Sequence, residues 1–591
     1  MDDLPTHRCD LVMKGGITSG VVYPRAVVAL AGKYRFQNIG GTSAGAIAAV
    51  VTAAAEYGRA SGGFEKIKAL PQDLSRTLLE KFQPVPQLAP VFRLGLAALS
   101  GKRRLVLAAL LQGYPRQAFL GALPGLVIAA LASLTRGPVD WGFLVLGGLV
   151  ALAGLILGPA LAVRAQITRD LPRHDFGMCS GLTQPGYKVP GLTNWLCDLL
   201  NAVAGLPEGA APLDIGQLQT AGINVQTVTT DITTHRPYAL PMGNNLHAFD
   251  IEDFRKLFPE PVVRHMVENS NKVGPEWGDT TGRLYYFRSD KLPVVVLARM
   301  SLSFPGLISG VPLYRVDHTL ERLAGGAKIR RCLFSDGGNS SNFPVHFFDR
   351  FLPQTPTFGI ALTRYDEART RPGQEDRRVL LPTTPDSGGR LLPTLPFQDL
   401  PGLVLALFNS AKDWQDTLQS VLTGYRERIV SVALKPDEGG LNLQMPVEVI
   451  NQLSEFGAQA GAAILQDFDL KEHRWRRFLT ELPLVETLLE DFADRWDAAE
   501  PAPGDLSYPD LVADGGNRQS YRLTAEHRQE LKRRAERLAA LGRALRADPM
   551  PQTLESSLPV RQARLRVVAS MDDVVRSRPA KARRPQDDPG S

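Results

Sequence analysis

The chain has 591 residues, of which 44% are hydrophobic and 22% are charged, a composition that excludes a largely disordered protein. This length exceeds one ordinary hydrophobic core and predicts a large folded unit with accessory segments. The 67 basic and 61 acidic side chains give a net charge of only +6, which argues against a nucleic-acid-binding protein.

The cysteine pattern and the N-terminus restrict the cellular setting. The four cysteines form no C-x-x-C pair and have no histidine at metal-ligand spacing; they are Cys9, Cys179, Cys197 and Cys332. This pattern predicts neither a disulfide framework nor a zinc site and suits a reducing, cytosolic environment. The acidic N-terminus lacks the apolar core of a signal peptide, so no secretory signal is expected.

The first ninety residues alternate between strand and helix patterns. Residues 9–13 predict a strand and residues 21–33 a helix, and the pair is repeated over residues 34–39 and 44–57. Such an alternation predicts a parallel sheet with helices on its faces.

The first strand runs into a glycine-containing loop, Lys14-Gly15-Gly16-Ile17-Thr18-Ser19-Gly20. Two consecutive glycines between a strand and a helix allow backbone N–H groups to point into a cleft, as an oxyanion hole requires. The loop lacks the G-K-[ST] ending of a phosphate-binding loop, so nucleotide binding is not indicated.

The second strand runs into Gly41-Thr42-Ser43-Ala44-Gly45, which fits the pattern G-x-S-x-G. A strained turn between strand and helix exposes the serine oxygen, and the flanking glycines leave room for close backbone packing. The helix N-terminus supplies free N–H groups and partial positive charge for a developing oxyanion. Ser43 is therefore a candidate nucleophile, and the alternative interpretation is a small-residue turn that only packs the helix.

Two long stretches without charged residues follow, over residues 118–134 and 141–163. As helices they would be about 25 Å and 35 Å long, close to the thickness of a bilayer core. Basic residues flank both outer ends, which predicts a hairpin with both ends on the cytoplasmic side. These residues are Lys102, Arg103, Arg104 and Arg116 before the hairpin, and Arg164, Arg169 and Arg173 after it. The alternative is a buried helical pair, which Pro124 favours.

The strand and helix pattern resumes after residue 216, with predicted strands over residues 223–229, 284–287, 331–334, 357–362 and 429–434. The third of these leads into Ser335-Asp336-Gly337-Gly338. An aspartate at a strand end can reach a neighbouring catalytic turn and accept a proton from its serine. The alternative is an ordinary Asp-Gly turn.

The order of these three motifs resembles that of the patatin-like phospholipases. The last match extends to D-G-G-x-x-x-N-x-P through Asn342 and Pro344, and residues 299–305 resemble the small-residue, proline-ended segment that precedes the aspartate in that family. The family's serine nucleophile and its aspartate partner correspond to Ser43 and Asp336. The resemblance covers about residues 11–434. The implied site comprises oxyanion donors at Gly15, Gly16 and Ile17 and supporting glycines at Gly41, Gly45, Gly337 and Gly338, with no metal or cofactor.

The first loop departs from the family pattern G-G-G-x-[RK]-G. Lys14 replaces the first glycine, and Thr18 and Ser19 stand before Gly20 where a basic residue is usual. The loop therefore offers less positive charge to a phosphate, so the resemblance supports an acyl ester more strongly than a phospholipid head group. His346 is the candidate base of a rival histidine-based triad, although its aromatic neighbours predict a partly buried structural role.

We therefore expect an α/β, patatin-like three-layer fold with a central, mostly parallel sheet, an inserted apolar helical hairpin and a helical C-terminal extension. The predicted segments are the first part of the catalytic domain (1–91), the inserted hairpin segment (92–175), the second part of the catalytic domain (176–470), the helical extension (471–548) and a mostly disordered tail (549–591).

The expected function is that of a membrane-associated serine lipid acyl hydrolase. Its expected partners are membrane phospholipid or another acyl lipid, and a bilayer contacted through residues 118–163 at the cytoplasmic face. No nucleic acid is expected. The alternatives are a catalytically silent, membrane-anchored lipid-binding scaffold and an acyltransferase on the same fold.

Overall fold

The structure is a computed structural model. It describes residues 5–559 except positions 17, 100, 135–140, 243–245, 275–276, 278–281, 318–328, 368–372, 374–376, 384–393, 395–398, 401, 404–405, 408–409, 411–421, 441, 500–503, 517–520 and 522. Most of the tail predicted to be disordered, residues 549–591, lies outside the described residues, and its described part, residues 549–559, contains a short helix over Gln552–Glu555.

Eleven strands of the described chain form one mixed sheet, and two short strands, β3 and β8, form a second sheet. In chain order the strands are β1 (His7–Met13), β2 (Tyr34–Gly41), β3 (Gly177–Cys179), β4 (Asn224–Asp231), β5 (Arg236–Leu240), β6 (Ala248–Asp250), β7 (Leu284–Tyr286), β8 (Gly306–Ile308), β9 (Val311–Val316), β10 (Ile329–Asp336), β11 (Thr357–Arg364), β12 (Val379–Leu380) and β13 (Ile429–Leu434).

The large sheet has a parallel centre and antiparallel flanks. Its order is β12-β13-β11-β1-β2-β4-β10-β9-β6-β7, and β5 also pairs with β4. Strands β13, β11, β1, β2 and β4 run parallel, whereas β10 pairs antiparallel with β4 and β9 pairs antiparallel with β10. The antiparallel half brings β10, which carries Asp336, next to the parallel half, which carries Ser43.

Helices cover the sheet and extend beyond it. In chain order they are α1 (Tyr23–Ala31), α2 (Ala44–Tyr57), α3 (Gly63–Lys81), α4 (Ala89–Leu99), α5 (Arg103–Gly113), α6 (Pro115–Ser133), α7 (Trp141–Ala165), α8 (Leu171–Arg173), α9 (Leu192–Val203), α10 (Ile215–Thr220), α11 (Ile251–Arg255), α12 (Glu260–Glu268), α13 (Val294–Ser301), α14 (Val447–Asp467), α15 (Leu470–Asp497), α16 (Tyr508–Ala513), α17 (Ala525–Ala547) and α18 (Gln552–Glu555).

The main hydrophobic core lies between the central strands and helices α1, α2, α3, α9 and α14. Helix α2 is almost fully buried, because its Ala-rich sequence lets it lie close to β2 and β4. This tight packing fixes the N-terminus of α2, and therefore the position of Ser43, relative to the sheet.

Helices α6 and α7 form the predicted apolar hairpin and contact each other closely. A Cβ atom on Gly121 would lie 2.1 Å from the carbonyl oxygen of Gly154, so only glycine permits this approach. Outward leucines are exposed, for example Leu120 by 63% and Leu149 by 60%. In the most apolar 18-residue stretch of each helix, only 22% and 11% of the residues are buried. This contradicts the alternative of a buried helical pair. By length and composition both helices could cross a membrane.

Candidate active site

The serine turn, residues 41–45, holds Ser43 in a strained backbone conformation. Ser43 has φ 55° and ψ −125°, a region that side-chain-bearing residues rarely adopt. A Cβ atom on Gly41 would lie 2.2 Å from the oxygen of Gly45, and one on Gly45 would lie 2.2 Å from the oxygen of Met13. The two motif glycines are therefore needed sterically, because the turn is packed against its own backbone and against the end of β1.

The register of the sheet places Ser43 and Asp336 on either side of β4. Gly41 pairs with Thr227 of β4 in a parallel register, so the level of Ser43, two residues later, corresponds to Thr229. Asp336 pairs with Thr229 from the opposite side. Neighbouring strands lie about 4.8 Å apart, so two short side chains can converge across one strand.

A direct packing contact also joins the two motifs. A Cβ atom on Gly337 would lie 3.0 Å from the Cγ2 atom of Thr42, the residue before Ser43. It would also lie 2.1 Å from the backbone oxygen of Val228, so glycine is required here as well. The structure therefore brings together the two motifs that lie far apart in the sequence.

Asp336 is held at the start of the aspartate loop, residues 336–342. It is 2% exposed, and its Oδ1 atom accepts a hydrogen bond from the Gly338 N–H at 2.6 Å. Its own N–H donates to the oxygen of Ser303 at 2.9 Å, and the Thr230 hydroxyl donates to its carbonyl oxygen at 3.0 Å. The bond from Gly338, the second motif glycine, orients one carboxylate oxygen, and the other two bonds hold the backbone of Asp336.

The end of α13 and the residues after it hold both motifs. The Ser43 N–H donates to the Oγ atom of Ser301 at 3.0 Å, in a buried bond, while Ser303 accepts from Asp336. The family resemblance drew attention to this segment without giving Ser301 a role. The bond joins residues 258 positions apart, so no local sequence pattern could have revealed it.

A buried arginine holds the end of α13 and the residues after it in place. Arg299 is 2% exposed and donates to Ser303 Oγ at 2.7 Å and to the carbonyl oxygens of Ser180 and Ser309, both at 2.9 Å. Burial lowers the pKa of its guanidinium to about 9. Arg299 thereby ties α13 to the small sheet β3–β8 and stiffens the support of the site.

The glycine loop, residues 14–20, lies against both motifs. The Gly15 N–H donates to the carbonyl oxygen of Asn342 at 2.7 Å, and the Ala44 N–H donates to the oxygen of Gly16 at 3.1 Å. The Gly15 donor is thus already engaged, so this conformation does not offer it to an oxyanion as we had expected. Within the described part of the chain, the Gly16 N–H has no protein acceptor. Ile17 lies outside the described residues.

An apolar cavity begins beside the serine turn. It measures about 780 Å³ including its open mouth and follows one face of α2 from Ala44 to Thr52. Helices α1, α3 and α9 form its other walls. Its lining is almost entirely apolar, which suits a hydrocarbon chain. No local sequence pattern indicates this cavity, because its walls come from four separate helices.

His346 has a structural environment. It lies in the turn Val345–Phe348, which packs on β1, β2 and β11. Its ring meets the Phe347 ring edge-on at 5.2 Å, and burial lowers its pKa. This fits the partly buried role predicted from its aromatic neighbours.

Comparison with known families agrees with this geometry. Residues 11–349, more than half of the chain, match the family described as patatin-like phospholipase. The chain belongs to the patatin-like phospholipase family. The predicted fold class is thereby confirmed, with a mixed sheet and a compatible C-terminal helical extension. As a member of this family, the chain is related to lipid acyl hydrolases.

Two individual proteins are similar to this patatin-like chain. A protein named RpoH suppressor from Rhizobium meliloti (strain 1021) is 35% identical over 615 residues, which cover 91% of this chain and 95% of the relative. Among solved structures, the crystal structure of VipD from Legionella pneumophila matches with 15% identity over 91% of this chain and 88% of that chain. Its TM-score of 0.28 is too low to support an argument.

Proposed function

We propose that this patatin-like protein is a membrane-associated serine lipid acyl hydrolase, like a phospholipase A or a lysophospholipase. Ser43 is the nucleophile and Asp336 is its partner. The observation that carries the proposal is the strained serine turn, which contacts the aspartate loop through Thr42 and lines an apolar cavity through Ala44. That arrangement presents a serine oxygen to the ester end of a bound acyl chain.

The proposed reaction has two steps. Ser43 Oγ attacks the acyl carbonyl while the Asp336 carboxylate accepts its proton, and this proton then passes to the leaving alcohol. Water next attacks the acyl-enzyme, again giving a proton to Asp336, and the fatty acid leaves as the Ser43 oxygen is reprotonated. The result is one ester bond hydrolysed and no net change in the enzyme.

The developing oxyanion requires donors near Ser43. In this proposal the Gly16 N–H is a donor and the N-terminus of α2 adds its partial positive charge, because the Gly15 N–H is held by Asn342 and the Ala44 N–H by Gly16. Ile17 remains a predicted donor outside the described residues. Gly15 then has a different role, since a Cβ atom there would lie 2.1 Å from the Asn342 Oδ1 atom and would separate the glycine loop from the aspartate loop.

The hairpin of α6 and α7 would bring this site to its substrate. Its outward side chains are apolar and exposed, and basic residues flank its outer ends. Membrane insertion would bury that surface, and the flanking basic residues support a catalytic unit on the cytoplasmic side through the positive-inside bias. An insoluble lipid could then enter the cavity directly from the bilayer.

The proposal is tested by fatty-acid release from phospholipid vesicles. Ser43→Ala and Asp336→Asn should each lower the turnover number by about 1,000-fold or more, because each removes a group that acts in the transition state. Ser557→Ala, at an exposed serine outside the candidate site, is the matched control and should retain full activity. Retained release by both site variants would defeat the proposal. Loss of acyl lipid with transfer to an added alcohol, in place of free fatty acid, would indicate an acyltransferase.

A further inference from the structure

Among the described residues, one charged side chain lines the apolar cavity, that of Lys81 at the last position of α3. It is only 5% exposed. Its Nζ atom lies 5.4 Å from the centroid of the Trp195 ring, which lines the same cavity. Within the described residues this ammonium group takes part in no hydrogen bond or ion pair, and its Nζ atom keeps some contact with solvent.

Lys81 lies at the catalytic end of the cavity. Lys81 and Phe82, at the end of α3, line the cavity together with Ala44 at the start of α2. The next residue, Phe82, packs in one cluster with Leu302. Leu302 directly follows Ser301, whose hydroxyl accepts the hydrogen bond from the Ser43 N–H. The ammonium group is therefore close to the place where an ester would react.

An ammonium group that has little access to solvent and no protein partner raises the free energy of the folded protein. Removal from water lowers the pKa of Lys81, and the nearby carboxylates of Glu80 and Asp73 oppose this shift. A cation–π contact with one tryptophan offsets only part of the lost hydration. A bound anion would offset the remainder, and the apolar walls around it select an anion that carries a hydrocarbon chain.

We propose that Lys81 binds the oxyanion of a lipid whose chain occupies the cavity. The oxyanion is either the phosphodiester of a phospholipid substrate or the carboxylate of a fatty acid. This inference rests on the proposed function and adds a specificity determinant to it. Lys81 would supply from α3 the positive charge that the glycine loop lacks at Thr18 and Ser19.

The test compares two substrates with identical acyl chains in neutral detergent micelles, phosphatidylglycerol and diacylglycerol. The full-length protein is assayed as wild type, Lys81→Met, Lys81→Arg and Lys68→Met, the last being an exposed lysine on the same helix. The quantity measured is the ratio of kcat/KM for phosphatidylglycerol to kcat/KM for diacylglycerol. This ratio does not depend on the folded fraction of a variant. A parallel series measures inhibition of diacylglycerol hydrolysis by oleate.

If the phosphodiester is bound, the ratio falls by about 10- to 100-fold in Lys81→Met and is partly restored in Lys81→Arg. If the carboxylate is bound, the ratio is unchanged and the oleate inhibition constant rises by about 10-fold or more in Lys81→Met. The inference is overturned if neither quantity changes, or if Lys68→Met shows the same changes. Wild-type protein that hydrolyses neither substrate would instead defeat the proposed function.

Discussion

The serine turn and the α6–α7 hairpin both depend on close backbone contacts at glycines, but these contacts have different consequences. In each, glycines let two backbone segments touch, Gly45 against Met13 and Gly154 against Gly121. The serine turn is buried, so the contact fixes one strained side chain. The hairpin is exposed, so its contact ties two helices together and leaves their apolar outer faces uncovered. The surroundings of a close contact, more than the contact itself, decide whether it serves a reaction centre or a surface.

The largest effect is expected from a methyl group in the buried contact. Gly45→Ala places a Cβ atom 2.2 Å from the Met13 oxygen and 2.7 Å from the Lys14 oxygen. Both oxygens belong to the backbone and cannot rotate away. We expect a loss of about 3 kcal/mol or more in the free energy of unfolding, together with loss of esterase activity. Chemical denaturation measures the first and fatty-acid release the second.

The control for Gly45→Ala is Gly95→Ala in α4, where a Cβ atom would meet nothing within 4 Å. This substitution should be neutral or stabilising by up to about 1 kcal/mol, because alanine favours a helix over glycine. Equal stability of the two variants would show that the serine turn is less tightly packed than the structure indicates.

A charge on the hairpin should affect membrane binding more than folding. Leu152 is 58% exposed near the middle of α7, and Leu152→Arg should weaken insertion by about 3 kcal/mol. Vesicle flotation measures the bound fraction, and hydrolysis of a water-soluble ester should be unchanged. The matched control is Leu538→Arg on α17, where the leucine is 45% exposed. If both variants float equally well with the wild type, the hairpin does not enter the bilayer.

Gly154→Ala adds a methyl group to the helix contact in the hairpin, as Gly45→Ala does to the backbone contact at the serine turn. Gly154→Ala places a Cβ atom 1.9 Å from the Gly121 oxygen, whereas Gly148→Ala on the same helix meets nothing within 4 Å. The first should separate the two helices at a cost of about 2 kcal/mol and increase protease sensitivity between them, and the second should not. Activity on a soluble ester should survive in both variants. Its loss in Gly154→Ala would mean that the hairpin supports the reaction centre directly.

The smallest effect is expected from Ser301→Ala. This change leaves the buried Ser43 N–H without its acceptor and should cost about 1–2 kcal/mol, seen as a roughly 10-fold lower kcat with KM nearly unchanged. Steady-state kinetics on a soluble ester measure both parameters. An unchanged kcat would show that Ser301 does not help to position the serine turn.

Much of the fold could be predicted because its signals are local. The bounds predicted for the helix over Ala44–Tyr57 and the strand over Ile429–Leu434 agree with the structure, since both have a regular hydrophobic pattern. The antiparallel flank of the sheet could not be predicted, because strand pairing depends on partners far along the chain. The inclusion of β11 and β13 in the same sheet extends it beyond the residues that match the family.

The candidate site could be predicted only in part, because its motifs are local but the roles of some residues depend on contacts between distant parts of the chain. The motifs identified Ser43, Asp336 and their glycines, but two glycines in one loop look alike, and only the contact with Asn342 distinguishes Gly15 from Gly16. Lys81 follows Glu80 at a helix end and resembles a solvent-exposed lysine in sequence. Its burial depends on packing against Trp195 of α9, which no local pattern indicates.

The most direct test of the central claim is covalent labelling with a fluorophosphonate probe followed by mass spectrometry of the labelled peptide. We predict that wild-type protein is labelled on Ser43, that Ser43→Ala is not labelled, and that Asp336→Asn is labelled at least about 100-fold more slowly while remaining folded. Labelling of another residue, or labelling of Ser43 at the wild-type rate in Asp336→Asn, would contradict the claim that these two residues act together.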